Sequence, residues 1–309
     1  MEHTSSNHDH YYVPEQSKLP LLASLGLFTT VFGLGNWFNE IKAGTDGSGM
    51  MVFLLGLVFL CGVLYTWFST VVDENIRGLN NAQLKRSYVW GMGWFIFSEV
   101  MFFSAFFGAL YYIRNIALPD LSSEDTSTLL WNGFQAEWPL MTTPDQILNG
   151  AKAVVSGPGE NMSNPGIAGW PHWLPFWNTV ILLSSSVTVH FAHTYLKNDN
   201  KKGFNIWLGI TVVLGIGFLI LQYAEYMHAY HVGLTIDSGV YGTTFFMLTG
   251  FHGLHVTLGT FMLLVQWLRS VFKGHFSHHD CFGFEASSWY WHFVDVVWVG
   301  LFIFVYIMG

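Results

Sequence analysis

The sequence predicts an all-α integral membrane protein with seven transmembrane helices. Three observations carry that prediction. Of the 309 residues, 51% are apolar and only 10% are charged, against about 25% charged in a soluble globular chain. Seven runs reach the roughly 20 mostly apolar residues that span a bilayer. The lysines and arginines gather on alternate connections between those runs, as expected of a multi-pass protein. The net charge of −8 comes without a basic patch, which excludes nucleic acid as a partner. The 2 cysteines, Cys61 and Cys281, supply neither a disulfide framework nor a thiolate metal site.

Residues 1–18, MEHTSSNHDHYYVPEQSK, form a polar N-terminus with a single basic residue. That is not the basic start of a cleavable signal, so the first run, 19–38, is expected to remain as a membrane anchor. The second run, 50–72, completes a two-helix N-terminal part at 19–72, and a connection at 73–86 leads to a second part at 87–309. The third run, 87–113, contains WFIFSEVMFF and places Glu99 near mid-membrane, where an ionised carboxylate costs several kcal/mol. Gly91, Ser98 and Ala105 recur every seven residues beside it, a seam for close helix approach. Residues 114–172, rich in Pro, Gly, Ser, Asp and Glu, read as one long loop.

Four more runs follow, at 173–196, 204–229, 241–269 and 285–308. The fourth carries a stripe of Ser186, His190, His193 and Lys197. The sixth carries His252, His255, Gly259, Met262, Gln266 and Arg269 at helical spacing. The seventh has His292 and Asp295 one turn apart. Stripes of this kind face protein or water rather than lipid tails. Mutual hydrogen bonding across helices is the plain reading of each, and a functional role for Glu99 stands open beside it. The expected orientation puts the N-terminus inside and the C-terminus outside. Lys18, Arg77, Lys85, Arg86, Lys197, Lys201, Lys202, Arg269 and Lys273 then lie inside, against Lys42, Arg114 and Lys152 outside.

Two other functions compete. HFSHH, His275 to His279, has the spacing of membrane di-iron desaturases and hydroxylases, and imidazole suits iron. Those histidines belong to an inner loop, whereas His228 and His231 end the fifth run on the outer side and His252 and His255 sit in the upper half of the sixth. Ligands separated by most of a membrane thickness cannot share a metal. A proton or ion transporter is suggested by Glu99, Asp295 and the histidines, but the runs lack the matched broken-helix pairs of that class. There is no phosphate loop and no Gly-x-Ser-x-Gly elbow.

SEVMFFSAFF (98–107), YGTTFFMLTGFHGLHVTLG (241–259) and FGFEASSWYWHFVDVVW (282–298) resemble the signature segments of subunit III of haem–copper cytochrome c oxidases. WNTVILLSSSVTVHFAH (177–193) and LQYAEY (221–226) support the match, which runs in order from about residue 50 to the C-terminus. The start, HDHYYVPEQSKLPLLASLG, is similar to bacterial members of the aa3 type.

The resemblance implies an accessory subunit with no catalytic centre and no cofactor of its own. Its partners in the family are subunit I, which holds haem a and the oxygen-reducing haem–copper site, and subunit II, whose copper receives electrons from cytochrome c. The expected setting is the bacterial inner membrane, in the aerobic respiratory chain, with oxygen reduced and protons pumped. The first two helices are expected to splay from a bundle of five and to leave a cleft that binds phospholipid. Glu99 matches the family's carbodiimide-reactive carboxyl. Trp67, Glu74 and Arg269 match lipid contacts, an arginine suiting a phosphate head group. Glu225, His193, His252, His255, His292 and Asp295 make up the expected buried polar network. His3, His8, His10, His275, His278 and His279 would form a proton-collecting inner surface, since imidazoles exchange protons readily near neutral pH. The family's histidine pair between helices 2 and 3 is replaced by Asn80 and Asn81.

Overall fold

The computed structural model describes residues 16–79, 82–158, 173–274, 276 and 281–308. Every regular element among them is helical. The chain divides into two compact units between Gly91 and Met92.

The first unit is built on a helical hairpin, α1 (Leu19–Ala43) and α2 (Gly49–Ile76). A proline in the first turn starts α1, where its missing N–H costs nothing. Gly44, in the left-handed region at φ 64°, ends it. The turn is then locked by Glu40, whose carboxylate oxygens accept from the Gly49 amide at 3.0 and 3.1 Å. Glycines set the closeness of the two helices. A Cβ on Gly33 would fall 2.3 Å from the Phe53 nitrogen, and one on Gly49 2.4 Å from that of Trp37. Backbones approach this tightly only where side chains are absent, the usual means of helix association in lipid. The start of α3 (Ala82–Tyr112) also belongs here. The expected connection at 73–86 is mostly helix: α2 runs to Ile76, so Glu74 sits in its last turn, and Lys85 and Arg86 lie in the first turns of α3.

The second unit contains the rest of α3, then α7 (Leu174–Lys197), α8 (Lys201–His231), α9 (Gly239–Leu268) and α10 (Phe282–Leu301). Each of α3, α9 and α10 runs on into a π-helical turn, at Ile113–Ala117, Arg269–Lys273 and Phe302–Ile307. Aromatic side chains fill the interior. Trp291, Trp298, Tyr290, Tyr306, Phe218 and Phe284 are fully buried. The indole N–H of Trp291 donates to Ser185 Oγ and that of Trp298 to Thr179 Oγ1, both at 2.9 Å, so neither ring strands a polar group. Gly259 makes room: a Cβ there would lie 2.8 Å from the Trp291 ring.

Among the described residues, 6 helices are long and apolar enough to cross a membrane: Leu19–Ala43, Gly49–Ile76, Ala82–Leu121, Lys201–His231, Gly239–Lys273 and Phe282–Ile307. The expected count of seven is therefore met in part. α7 is the exception, because Asn178, Ser184 to Ser186, His190 and His193 dilute its hydrophobicity.

The segment expected as a long loop has structure of its own. It holds α4 (Leu118–Leu121), α5 (Glu124–Leu130) and α6 (Pro144–Asn149). Buried Leu118, Phe134 and Leu140 form a small separate core, with Trp131, Trp138 and Val240 packed against it. Thr143 caps α6 reciprocally with Gln146. The Asp145 carboxylate accepts from the amides of Val154 at 2.7 Å and Val155 at 2.9 Å and from Asn149 at 2.6 Å. Apolar residues scattered among turn-forming ones were enough to fold this segment.

Candidate functional site

Glu99 stands near the centre of the Ala82–Leu121 span, and His255 near the centre of Gly239–Lys273. The two meet: His255 Nε2 lies 3.0 Å from Glu99 Oε2. Nδ1 of the same ring lies 2.6 Å from the Phe251 carbonyl oxygen. A carbonyl only accepts, so Nδ1 carries a proton. The Nε2–Oε2 contact then contains one further proton. Either a neutral acid donates to a neutral imidazole, or a carboxylate accepts from an imidazolium. Both forms leave the pair without net charge, which is how an acid becomes affordable at mid-membrane.

Aromatic rings wall His255. Phe103 packs edge-on to the His255 ring at 5.0 Å, Tyr290 stacks on it at 6.3 Å, and Phe102 and Phe293 close the sides. The His255 side chain is 9% exposed and that of Glu99 22%. Among the described residues, no hydrogen bond links the pair onward to another side chain. The geometry is that of a brace between α3 and α9, made of two protonatable groups.

The other polar residues singled out in the sequence form separate small sets. Ser186 on α7 donates to Asp295 Oδ2 and lies 3.1 Å from His292 Nδ1, tying α7 to α10. His193 Nε2 meets Glu285 Oε1 at 3.1 Å. Nothing in the sequence around Glu285 marks it as a partner, because its neighbour is supplied by α7, 92 residues away. His252 is wholly buried, its Nε2 donating to the Val294 carbonyl at 3.2 Å between the rings of Phe218 and Trp298. Glu225 Oε2 is enclosed beside the Tyr306 hydroxyl. His252 and His255, three residues apart, thus serve different contacts.

Trp67 and Glu74 lie on α2, seven residues apart and half-buried. Arg269 begins the π-turn after α9. Its Nη1 donates to Gln266 Oε1 at 3.1 Å, and its guanidinium sits 5.0 Å from the centre of the Phe276 ring. His3, His8, His10, His275, His278 and His279 lie outside the described residues, as do Asn80 and Asn81. Among the described residues, no three His, Cys, Asp or Glu side chains gather as a metal-holding group.

The family model for cytochrome c oxidase subunit III matches residues 8–126 and 156–309. The chain belongs to that family. Relatives named cytochrome c oxidase subunit 3 match over almost the whole length of both chains. The protein of Drosophila melanogaster is 38% identical over 308 residues, 99% of each chain, as is that of Anopheles gambiae. That of the rabbit, Oryctolagus cuniculus, is 36% identical over 300 residues, 97% of each. A subunit III is part of a proton-pumping oxidoreductase complex of the respiratory chain. Its helices make it a multi-pass membrane protein, and its place is beside other oxidase subunits.

In a subunit III the Glu99–His255 pair needs no substrate to account for it, because it joins two long helices at their centres. The stretch missing from the family match, 127–155, coincides with most of the folded segment around α6.

Proposed function

We propose that this chain braces the oxidase structurally, by keeping its helix bundle and bound phospholipid in place beside subunit I, and so sustains proton uptake and protects the catalytic centre during turnover. The observation that carries this reading is the hydrogen-bonded Glu99–His255 pair at the middle of two spans. A proton-conducting residue needs a polar path on either side, and here aromatic rings surround His255. The same arrangement suits the carbodiimide reactivity implied by the family resemblance, which requires a protonated carboxyl in apolar surroundings.

Phospholipid is the proposed ligand. Arg269 supplies a guanidinium at the end of a span, where a phosphate head group resides, and its Nη1 bond to Gln266 orients the fork. Trp67 and Glu74 are the proposed contacts on α2. The haem and copper of the complex belong to the partner subunits, with subunit II passing electrons from cytochrome c.

The topology proposed is seven spans. α7 is 24 residues long, about 36 Å at 1.5 Å per residue, and so long enough to cross. It runs antiparallel to α8 through the short turn at 198–200, and Thr188 and Thr211 hydrogen-bond between the two at 2.8 Å. A helix packed along α8 must share its membrane depth. The N-terminus is placed on the side that carries most lysines and arginines. The membrane proposed is an energy-transducing respiratory one, the plasma membrane in a bacterium.

The test is turnover of the intact oxidase carrying Glu99→Leu or Arg269→Ala. Faster loss of activity per turnover with an unchanged initial rate is expected. Inactivation at the wild-type rate in both variants would remove the stabilising role from these residues. A tag on this chain that pulls down no a-type haem spectrum would remove the proposed subunit I contact itself.

A further inference from the structure

Tyr226, near the end of α8, has a partner for its hydroxyl, Thr249 Oγ1 at 2.7 Å. The polar groups around it do not. Gln222 and Glu225 stand one turn apart on the same helix, Tyr241 lies in the first turn of α9, and Tyr306 lies in the π-turn after α10. Gln222 is 5% exposed, Tyr241 2% and Tyr306 1%. The oxygen and nitrogen of the Gln222 amide, Oε2 of Glu225 and both tyrosine hydroxyls are enclosed, with no hydrogen-bond partner among the described residues.

These groups are neighbours. The Tyr306 hydroxyl faces the Glu225 carboxyl and the Gln222 amide, and Tyr241 lies close enough to Glu225 to feel its charge. Phe245 packs against both tyrosine rings, at 6.4 Å from Tyr241 and 5.8 Å from Tyr306. Three helices thus bring polar atoms to one place without bonding them to each other. A buried polar atom left unpaired is costly, and a native fold that gathers several of them holds something that pairs them. The set both donates and accepts. A metal cation would meet the amide hydrogens of Gln222, and an anion would meet the Glu225 carboxyl. An apolar ligand would satisfy none of them. Water donates and accepts, and so satisfies all four side chains.

We infer that ordered water is bound between α8, α9 and α10 at this end of the bundle, bridging Gln222, Glu225, Tyr241 and Tyr306. Water bonded to its carboxyl makes Glu225 tolerable within a membrane span, where Glu99 has a histidine instead. The folded segment after α3 closes the site. Trp138 packs edge-on to Tyr241 at 5.4 Å, and the Arg114 guanidinium lies 5.8 Å from the centre of the Trp138 ring. The small core around Leu118, Phe134 and Leu140 carries Trp138, so that segment acquires a task, which is to keep the bound water from exchanging with the bulk.

The test uses X-ray radiolysis of the wild-type oxidase complex in mild detergent. Radicals formed from water in place oxidise the side chains beside it, and mass spectrometry reads them. Tyr241 and Tyr306 are expected to be oxidised several-fold more than Trp291, which is fully buried with its N–H bonded to Ser185. Oxidation no greater than that of Trp291 overturns the inference. Oxidation that disappears as sodium or potassium is raised marks a cation in the site, and overturns it as well. The closing role is read by dilution into water labelled with oxygen-18 before irradiation. Label should reach Tyr306 several-fold sooner in Trp138→Ala than in the wild type, and arrival at the same rate removes that role from Trp138. None of these readings depends on the turnover of Glu99 or Arg269 variants.

Discussion

At the scale of single residues, the argument turns on where a proton can sit. His255 has one nitrogen committed to the Phe251 carbonyl, so its other nitrogen and Glu99 must share a proton between them. Glu99→Gln preserves this arrangement, because a side-chain amide can donate to Nε2. Glu99→Leu does not, and it leaves an enclosed imidazole nitrogen unpaired, at a cost of about 1–3 kcal/mol. Thermal unfolding of the purified complex should therefore rank the variants as wild type, then Gln close behind, then Leu clearly lower. Asp145 gives a prediction outside the membrane. The Val155 amide first, and then Asn149, hold its carboxyl below the usual 3.8. A depressed carboxyl contributes stability that is fully present above 3.8 and disappears as pH falls through its lower folded value. Hydrogen exchange at the Val154 and Val155 amides should accelerate, beyond its intrinsic pH dependence, only in acid. Asp145→Asn should exchange quickly at neutral pH already.

At the scale of elements, the α1–α2 hairpin depends on missing side chains. Gly33→Leu would drive a Cβ to 2.3 Å from backbone nitrogen, where no rotamer change relieves the clash. Separation of the helices should cost on the order of 1–3 kcal/mol or more, read as a lower unfolding temperature in mild detergent. Gly35, with nothing within 4 Å of its added Cβ, should accept alanine without loss. The elements also show where sequence reading works and where it stops. Helix existence follows from length and apolarity, and the stripe on α9 correctly marked its inward face: His252, His255 and Gly259 are all buried. Helix ends were less legible. α2 and α3 each extend into what composition marked as a connection, because charged residues such as Asp73, Glu74, Lys85 and Arg86 are compatible with helix beyond the membrane. The 114–172 segment misled for the opposite reason. Its turn-forming residues are plain in the sequence, while the three-residue core of Leu118, Phe134 and Leu140 assembles from positions 22 apart.

At the scale of the whole molecule, topology can be tested by a lysine reagent that does not cross membranes. Lys152 precedes α7, and Lys201 and Lys202 follow it. Labelling of Lys152 from one side and of Lys201 and Lys202 from the other is the expected result, and labelling of all three from the same side would show that α7 does not cross. The pairing of Glu99 with His255 had no counterpart in sequence patterning, because the two are 156 residues apart and each helix records only its own face. By itself the sequence determined the membrane class, most of the helices and the inward face of α9, since these depend on local composition and a period of 3.6 residues. Only the tertiary structure decided which polar groups meet, that His252 and His255 part company, and that Glu285 answers His193. Partner choice depends on the relative rotation and depth of packed helices, which is set by glycine contacts and ring packing distributed along the whole chain.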